Sequence, residues 1–390
     1  MQKPSILIAI AISVLSAAMA CAHTWHVEQD GSGDFLEIQD AIVAAAEGDT
    51  ILVGPGHYVG QHEIPGATDH TATVAFDKPG LVLLGESVDT VRIGEDDTSA
   101  NYHAIAGLGI ASAAIGNVTV NGGSDGVVWE AGGLEVRHSR FENCVYGVVI
   151  YRGNGCDIFG CTFQDLERGV FAAQMSTQIF IGSCVFIGVD TGVDVQSTTS
   201  ATVDSCTFSD GVLGIQYYYV DGTISDCEIY GRANHDYGRA IAIAASPDIA
   251  ITDCVMDYTM NSAYAVLQVS NGASITGSGN VIRGDGQTSV LLSGENSCYD
   301  FINNEIYRAR HFCLIAQAWG ENTDDPPLHL DMTGNYWGTE DEALIAEWID
   351  DHLDHPDHPN YRMVVDFVPY HGDPVRVESR SLSQVRGIFD

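Results

Sequence analysis

The residues most able to do chemistry are concentrated in one turn, Gly231–Arg239, which is longer than its counterparts elsewhere in the chain. It contains Arg232, His235, Asp236 and Arg239. A guanidinium can hold a carboxylate, and a histidine or carboxylic acid can exchange a proton with a substrate. We therefore predict His235, Asp236 and Arg239 as candidate catalytic residues and Arg232 as a carbohydrate-binding residue. The alternative is that the turn is an insertion that the fold tolerates.

Aromatic residues in short apolar runs give a second set of candidates, because rings of this kind can bind sugars. Side chains alternate between the two faces of a strand. The predicted inward residues are Val148, Val170, Val193, Ile215, Ile241, Val266 and Val290. The predicted outward residues are Val149, Phe171, Asp194, Gln216, Ala242, Leu267 and Leu291, followed by Tyr151, Ala173, Gln196, Tyr218, Ala244, Val269 and Ser293.

So apolar an outer face should be covered, either by a later part of the chain or by a ligand. A predicted helix near residues 341–353 could provide that cover. In the ligand interpretation, Tyr151, Phe171 and Tyr218 bind carbohydrate.

Three histidines near the C-terminal end form a weaker candidate site. His352, His355 and His358 are spaced three apart among four aspartates. Imidazole and carboxylate groups at this density can bind a divalent ion. The alternative is a solvated loop, since Pro356 and Pro359 end any helix here. No cofactor is firmly predicted, although calcium could offset the acidic charge.

A repeated pattern must position all these residues. About every 22 residues between Gly133 and Gln317, a Cys or Asn is followed two places later by a large apolar residue. The first column is Ser139, Cys161, Cys184, Cys206, Cys227, Cys254, Asn280, Asn304 and Asn335. The second column is Phe141, Phe163, Phe186, Phe208, Ile229, Met256, Ile282, Ile306 and Trp337.

A fixed period of this length is typical of a solenoid, and the short alternating runs between Gly, Asn, Asp and Ser indicate strands and turns. Three strands and three turns fit one unit. We predict an all-β, single-stranded right-handed parallel β-helix, with equivalent residues stacked about 4.8 Å apart. The Cys/Asn column should form an internal ladder, and the Phe/Ile column should stack beside it.

Ten cysteines in a predicted exported protein favour disulfides. Five of them occupy one stacked column, where bridging geometry is poor, so we predict buried thiols there. Cys144 with Cys156, or Cys298 with Cys313, are the more plausible bridges.

The ends of the chain indicate export. Residues 1–20 contain a lysine, an apolar run and Ala18-Met-Ala20, as in a secretory signal peptide. Cleavage there would expose Cys21, so a lipoprotein is possible alongside plain secretion, a periplasmic location or a cell-surface location. We predict one domain over 21–370, with regular units at about 133–317, a C-terminal cap at about 331–370 and a loose tail at 371–390. No mature segment is predicted to span a membrane, and a monomer is expected.

The formal net charge is −37, from 53 acidic and 16 basic residues. A balance this acidic argues against nucleic acid or an anionic membrane as partner. It is also typical of soluble extracellular proteins.

The N-terminal segment is predicted to close the first turn of the solenoid. Ile38, Ala41, Ile42 and Ala45 lie on one helical face. The stretches Asp30-Gly-Ser-Gly-Asp-Phe35, Ile38-Gln-Asp-Ala-Ile42 and Gly48-Asp-Thr-Ile-Leu-Val-Gly-Pro-Gly-His-Tyr58 resemble the start of the pectin-lyase-like superfamily, especially pectin methylesterases. The resemblance implies the β-helix fold. The Gln-Asp-Thr-Leu and Leu-Gly-Arg-Pro-Trp segments expected of those enzymes are absent, so their chemistry is not implied.

The C-terminal segment carries a similar signal. Asn335-Tyr-Trp-Gly-Thr339, a short apolar helical stripe at Leu344, Ile345, Trp348 and Ile349, and Met363-Val-Val-Asp-Phe-Val-Pro369 follow one another. This order resembles the ending of secreted right-handed β-helix repeat proteins, which implies an architecture and not an activity.

Two classes of function remain open. The favoured one is a non-catalytic secreted or surface protein that binds extracellular polysaccharide or builds the cell envelope. The alternative is a polysaccharide lyase or epimerase acting on a uronate polymer, with Arg232 or Arg239 neutralising the carboxylate and His235 or Tyr218 abstracting the proton. Fold alone does not decide between them.

Overall fold

The computed structural model describes residues 22–374 except 234–236, 261–263, 295–296, 319–326, 357 and 359, and it describes only the backbone at 297–300. The predicted signal peptide, Cys21, His235, Asp236 and the tail beyond residue 374 therefore lie outside the described residues.

Short strands dominate, as the alternating pattern predicts. The first part of the chain contains β1 (Thr24–Val27), α1 (Ile38–Ala44), β2 (Thr50–Val53), β3 (Gly56–Tyr58), β4 (His62–Glu63), β5 (Thr71–Phe76), β6 (Leu81–Gly85), β7 (Val91–Ile93), β8 (Tyr102–Leu108), β9 (Ser112–Gly116), β10 (Thr119–Asn121), β11 (Asp125–Arg137) and β12 (Arg140–Glu142).

The regular part contains β13 (Tyr146–Phe159), β14 (Thr162–Gln164), β15 (Arg168–Ala173), β16 (Thr177–Gly182), β17 (Val185–Ile187), β18 (Thr191–Gln196), β19 (Ala201–Asp204), β20 (Thr207–Gly211), β21 (Leu213–Tyr218), β22 (Gly222–Ser225), β23 (Glu228–Gly231), β24 (Arg239–Ala244), β25 (Ile249–Thr252), β26 (Val255–Tyr258), β27 (Ala265–Ser270), β28 (Ser274–Ser278), β29 (Val281–Gly284) and β30 (Thr288–Ser293). The end contains β31 (Ser297–Phe301), β32 (Glu305–Ile306), β33 (Phe312–Gln317), β34 (Leu328–Asp331), α2 (Glu342–Trp348), β35 (Ile349–Asp350) and β36 (Met363–Asp366).

Apart from the separate β34–β36 pair and the antiparallel pairing of β4 with β5, the strands form three parallel sheets around one core, which confirms the predicted solenoid. Sheet A runs through strands such as β16, β19 and β22, sheet B is eleven-stranded and runs from β3 to β32, and sheet C includes β15, β18, β21, β24, β27 and β30. The long strands β11 and β13 bend from sheet C into sheet A. Each strand pairs with its counterpart in the next unit, which places equivalent residues in lines along the axis.

The two predicted columns are present in the core. Phe141, Phe163, Phe186 and Phe208 stack with ring centroids 4.8, 4.8 and 4.5 Å apart and nearly parallel planes. In the neighbouring column, Asn280 Nδ2 donates to Asn304 Oδ1 at 2.8 Å, and Asn304 Nδ2 donates to Asn335 Oδ1 at 3.0 Å.

The cysteines in that column continue the ladder with weaker bonds. Cys206 Sγ accepts from the Cys184 amide at 3.4 Å, and its own thiol lies 3.3 Å from the Asp204 carbonyl oxygen. The thiols of the five column cysteines are free and buried, as predicted. Burial raises the pKa of the Cys227 thiol well above its ordinary value.

The predicted disulfides are wrong where the structure describes them. Cys144 and Cys156 are both free and buried, because they stack on different units and turn toward different carbonyls, those of Gly122 and Gly132. Cys313 is also a free thiol, and the side chain of Cys298 lies outside the description.

The N-terminal helix closes the first turn, as the apolar stripe predicts. Ile38, Ala41, Ile42 and Ala45 are all buried in the main core. The side chain of Gln39 exchanges two hydrogen bonds with the backbone of Ala75 at 2.8 and 3.0 Å, which fixes α1 to sheet C. The helix thus covers the apolar end and the edge that the solenoid would otherwise expose.

The C-terminal cap differs in detail from the prediction. Ile345 of α2 is fully buried, Leu344 is exposed, and Ile349 belongs to β35, which adds to sheet C beside β33. β36 pairs in parallel with β34. Because Ile345 packs in the main core, α2 closes the end of the solenoid and does not cover the outer face of sheet C.

The residues predicted to point inward from sheet C are correct in six units. In the seventh unit, the inward residue is one position further along the chain than predicted. Ile241 pairs with Leu267, and Leu267 pairs with Val290, so Leu267 and Val269 belong to the core. The outward residues in that unit are Gln268 and Ser270. A slip of one residue exchanges the two faces of a strand.

Candidate functional site

The outer face of sheet C carries the largest gathering of polar and aromatic side chains among the residues singled out from sequence. We call the outward residues of β13, β15, β18, β21, β24 and β27 the open face. Its three lines along the axis are Tyr146, Arg168, Thr191, Leu213 and Arg239; then Val149, Phe171, Asp194, Gln216, Ala242 and Gln268; then Tyr151, Ala173, Gln196, Tyr218, Ala244 and Ser270.

An aromatic ledge forms the N-terminal end of the open face. Tyr151 and Phe171 meet edge to face at 6.0 Å, and Tyr146 lies 6.5 Å from Phe171. The Arg168 guanidinium lies 5.2 Å from the Tyr146 ring centroid and 5.1 Å from that of Phe171. The structure therefore brings Tyr151 and Phe171 together, as predicted from strand alternation.

An earlier part of the chain covers the face beyond this ledge. Ile64 and Ala67 pack with Val128 and Val149 in a small cluster, and the ledge rings lie against the same cluster. The predicted cover by a later segment is therefore wrong at this end. The segment containing Ile64 precedes the regular units, where the periodic pattern gives no guide to its course.

Three titratable side chains link this covering segment to sheet C. His70 Nδ1 lies 3.0 Å from His103 Nε2, and His103 Nδ1 lies 2.9 Å from Asp125 Oδ2. His103 and Asp125 are buried, and the two imidazole planes stack. Of these two nitrogens, one must be unprotonated and accept a hydrogen bond from the N–H of the other, because two N–H groups cannot hydrogen-bond to each other. Sequence reasoning missed this chain of contacts, since its members come from three separate units.

A buried carboxylate lies at the middle of the open face. Asp194 is 2% exposed, and Gln196 Nε2 donates to its two oxygens at 2.9 and 3.1 Å. Gln216 Nε2 donates to Oδ1 at 3.3 Å, and Arg168 lies 3.5 Å from Oδ2. Burial raises the pKa of Asp194, while these amides and the guanidinium oppose the shift. Asp194 was recognised from sequence only as an outward residue, although a lone carboxylate in that line was the available signal.

A cavity of about 230 Å³ follows on the C-terminal side of Asp194. Its side-chain lining includes Gln216, Tyr218, Arg239, Gln268 and Ser270. Tyr218 stands three strands from Tyr151, about 14 Å along the axis, so it belongs to this cavity and not to the aromatic ledge.

The Arg239 guanidinium is the unusual group in that cavity. Its Nε is buried without a hydrogen-bond partner, and none of the ion pairs among the described residues involves it. Burial lowers its pKa. Its backbone is fixed, because the Tyr258 hydroxyl donates to the Arg239 carbonyl at 2.7 Å. A half-buried cation that has no acidic partner in the described part of the chain is suited to an anionic group of a ligand.

Arg232, the other guanidinium of the long turn, is engaged elsewhere. It donates to the carbonyls of Asp210 and Gly188 at 2.8 and 3.2 Å and pairs with Asp190 Oδ1 at 2.9 Å. These bonds hold successive turns together. Its role in carbohydrate binding stays a prediction, as do the catalytic roles of His235 and Asp236, which lie outside the described residues.

The C-terminal histidines contact protein groups instead of converging on one point. His352 Nδ1 lies 2.6 Å from the Tyr361 carbonyl oxygen, and His355 Nε2 lies 2.8 Å from Asp350 Oδ1. The rings of His355 and His358 are 6.5 Å apart. Within the part of the chain that the structure describes, no three histidine, cysteine or acidic side chains are arranged to hold a metal. Calcium binding stays a prediction.

Comparison with known proteins gives one family match. A model described as "Right handed beta helix region" matches residues 103–231 and 146–306, together more than half of the chain. No curated protein matches. Among solved structures, the chain is similar to the catalytic unit of a thermostable GH87 α-1,3-glucanase from Streptomyces thermodiastaticus strain HF3-3. The two chains are 12% identical with a TM-score of 0.46, and the match covers 88% of this chain and 66% of that one.

Neither of the two described helices is long enough to cross a membrane.

Proposed function

The chain belongs to the right-handed β-helix family, and we propose that it binds an acidic extracellular polysaccharide along the open face. The observation that carries the proposal is Arg239, a half-buried guanidinium that has no ion-pair partner among the described residues and lines an open cavity beside Tyr218. A carboxylate on a sugar in this cavity would supply the opposite charge.

The shape of the open face suits an extended chain. Neighbouring strands repeat about every 4.8 Å, which is close to the length of one sugar unit in an extended polysaccharide. From Phe171 to Gln268 the face crosses five strands, about 20 Å along the axis. Each sugar could therefore meet a similar row of side chains. The amides of Gln216 and Gln268 provide hydrogen-bonding groups between the aromatic ledge and Arg239.

The proposed location follows from the sequence. Residues 1–20 have the pattern of a secretory signal, and we place the mature protein outside the cytoplasm, either secreted, periplasmic or at the cell surface. Lipid attachment at Cys21 would fix it to a membrane surface. In each case the acidic composition fits a solvent-exposed protein, which we expect to be a monomer.

Binding without catalysis is the preferred form of the proposal. The alternative, a lyase or epimerase acting on a uronate polymer, would use Arg239 to neutralise the substrate carboxylate and Tyr218 or His235 as base. Contact with Tyr219 raises the pKa of Tyr218, which opposes its acting as a base at neutral pH. The open face therefore favours recognition, and a product assay tests the alternative.

The test is binding of polygalacturonate and of a neutral glucan, measured by isothermal titration calorimetry and affinity electrophoresis, with ultraviolet absorbance to detect unsaturated products. We expect polygalacturonate to bind and Arg239→Ala to weaken binding about tenfold or more, the size of a lost charged contact. Arg140→Ala is the matched control. Arg140 carries the same charge as Arg239, but it lies on sheet B, away from the open face, and pairs with Asp89.

Equal affinities of the Arg239→Ala and Arg140→Ala variants would overturn the proposal. Unsaturated product formed by the wild type and lost in Arg239→Ala would replace binding with the lyase alternative. Binding of the neutral glucan alone would place recognition away from Arg239.

A further inference from the structure

A second and larger cavity lies beside the open face. Its volume is about 490 Å³, and the described residues that line it lie at or just before the start of a sheet C strand in four successive units. The side chains that define it are Tyr237, Tyr264, Gln287, Arg310, His311 and Phe312. We call it the ring pocket.

Three of the four segments that line the ring pocket, those of Tyr264, Gln287 and Phe312, are joined by backbone hydrogen bonds. The Thr288 amide donates to the Tyr264 carbonyl at 3.1 Å, and the Phe312 amide donates to the Gln287 carbonyl at 3.1 Å. The Arg310 amide donates to the Gly286 carbonyl at 2.8 Å. Bonds of this kind between successive units preform this part of the pocket, which reduces the entropy lost when a ligand binds.

The side chains of the pocket are aromatic and hydrogen-bonding. Tyr237 is 75% exposed and Tyr264 is 40% exposed, while Phe312 is partly buried at the base of the same pocket. Three rings from three different turns surround one space, with Gln287 and His311 between them. Aromatic faces with a few polar groups suit the C–H face and hydroxyl groups of a pyranose.

The charge of the pocket differs from that of the Arg239 cavity. The guanidinium of Arg310 lies 3.7 Å from Asp285 Oδ2, so it already has an acidic partner. Arg239, by contrast, has no acidic partner among the residues that the structure describes. The ring pocket therefore favours an uncharged sugar, whereas the neighbouring cavity favours a charged one.

The two cavities are neighbours. Tyr237 precedes Arg239 by two residues, and Phe312 occupies the position in β33 that Arg239 occupies in β24, three strands away. One polysaccharide could therefore occupy both. We propose that the ring pocket binds a neutral pyranose of the same ligand, so that the preferred polysaccharide is a heteropolymer of neutral and acidic sugars and not a uronate homopolymer. This inference rests on the proposed function.

The test compares glucuronoxylan, a neutral chain bearing acidic sugars, with polygalacturonate and unsubstituted xylan in isothermal titration calorimetry. We expect glucuronoxylan to bind most tightly. Tyr237→Ala with Tyr264→Ala should weaken glucuronoxylan binding about tenfold, as truncation of an aromatic anchor commonly does, and leave polygalacturonate binding nearly unchanged. Leu353→Ala, which truncates another strongly exposed side chain far along the chain, is the control. Circular dichroism confirms that each variant is folded.

The outcomes separate this inference from the proposed function. If the double variant binds glucuronoxylan as tightly as Leu353→Ala while Arg239→Ala binds it weakly, the ring pocket has no part in recognition and acidic-glycan binding stands. If Arg239→Ala also binds glucuronoxylan and polygalacturonate normally, the proposed function itself is overturned. Equal wild-type affinity for glucuronoxylan and polygalacturonate would likewise contradict the inference.

Discussion

At the scale of single residues, two charged groups of the open face differ in how far the protein compensates their charge. Asp194 is buried but accepts hydrogen bonds from two glutamines and faces Arg168. Arg239 is half-buried, and its Nε has no hydrogen-bond partner among the described residues. A buried charge without compensation costs free energy, so it persists where a ligand uses it. This contrast supports the proposed ligand contact of Arg239, whereas the charge of Asp194 is compensated within the protein.

The raised pKa of Asp194 predicts how stability depends on pH. A carboxyl group that binds its proton more tightly in the folded state stabilises the fold fully below its unfolded pKa. That contribution is lost as pH rises through the folded pKa. Asp194→Asn should therefore gain stability relative to the wild type between pH 4 and pH 7, because the amide never ionises.

Urea unfolding of both proteins at the two pH values measures this difference, and comparing them cancels the titration of the other acids. Arg168→Gln provides the complementary control: it removes the opposing cation and should steepen the loss of stability with pH. A difference between the wild type and Asp194→Asn that stays constant from pH 4 to pH 7 would show that the pKa is not raised.

At the scale of elements, one column of side chains uses two chemistries. The amides of Asn280, Asn304 and Asn335 bond to one another along the axis. Cys184 and Cys206 occupy equivalent places and make long contacts through sulfur. Amide hydrogen bonds in a buried site are stronger than those of a thiol, and leaving their partners unsatisfied costs more.

The column therefore provides a matched pair of substitutions. Asn304→Ala removes an acceptor for the Asn280 amide and side chain and a donor to Asn335, so we expect it to lower the free energy of unfolding by about 3 kcal/mol. Cys206→Ala should cost about 1 kcal/mol, because the thiol packs mainly as a small apolar group. The measurement is urea unfolding of both variants under the same conditions. Equal costs would show that the amide ladder adds nothing beyond packing.

The elements also show which parts of the fold were predictable from sequence. The two core columns and the inward line through Val148, Val170 and Val193 follow from a fixed period, so they were predicted correctly. The slip at Leu267 lies in a unit of 26 residues, the distance along the chain between the paired residues Ile241 and Leu267, and not of about 22. Turn lengths are not constrained by the core, and for this reason the period alone did not determine the register there.

The candidate site was predictable to a smaller extent. Alternation along strands correctly brought Tyr151 and Phe171 together. The contact of His70 with His103, and the cover provided by Ile64, depend on an irregular segment that folds back on sheet C. The ring pocket depends on side chains from several turns of unequal length. Contacts of both kinds are set by tertiary structure and leave no periodic trace in the sequence.

At the scale of the whole molecule, the formal net charge of −37 acts against the proposed ligand at long range. An acidic polysaccharide approaches a protein that repels it, whereas the attraction to Arg239 acts only at contact. Salt screens the long-range repulsion over a Debye length of about 30 Å at 0.01 M and about 8 Å at 0.15 M. The short-range contact in the partly buried cavity is screened much less.

The association rate constant for polygalacturonate should therefore increase between 10 and 150 mM NaCl, by a factor on the order of ten. This increase is expected because salt screens the repulsion that slows the encounter of the two molecules. The dissociation rate constant should change less, because it depends on contacts already formed. Surface plasmon resonance with immobilised protein measures both constants, and unsubstituted xylan is the uncharged reference. An association rate that falls with salt would instead mean that a local positive field guides the ligand, and recognition would then involve several guanidinium groups of the open face instead of Arg239 alone.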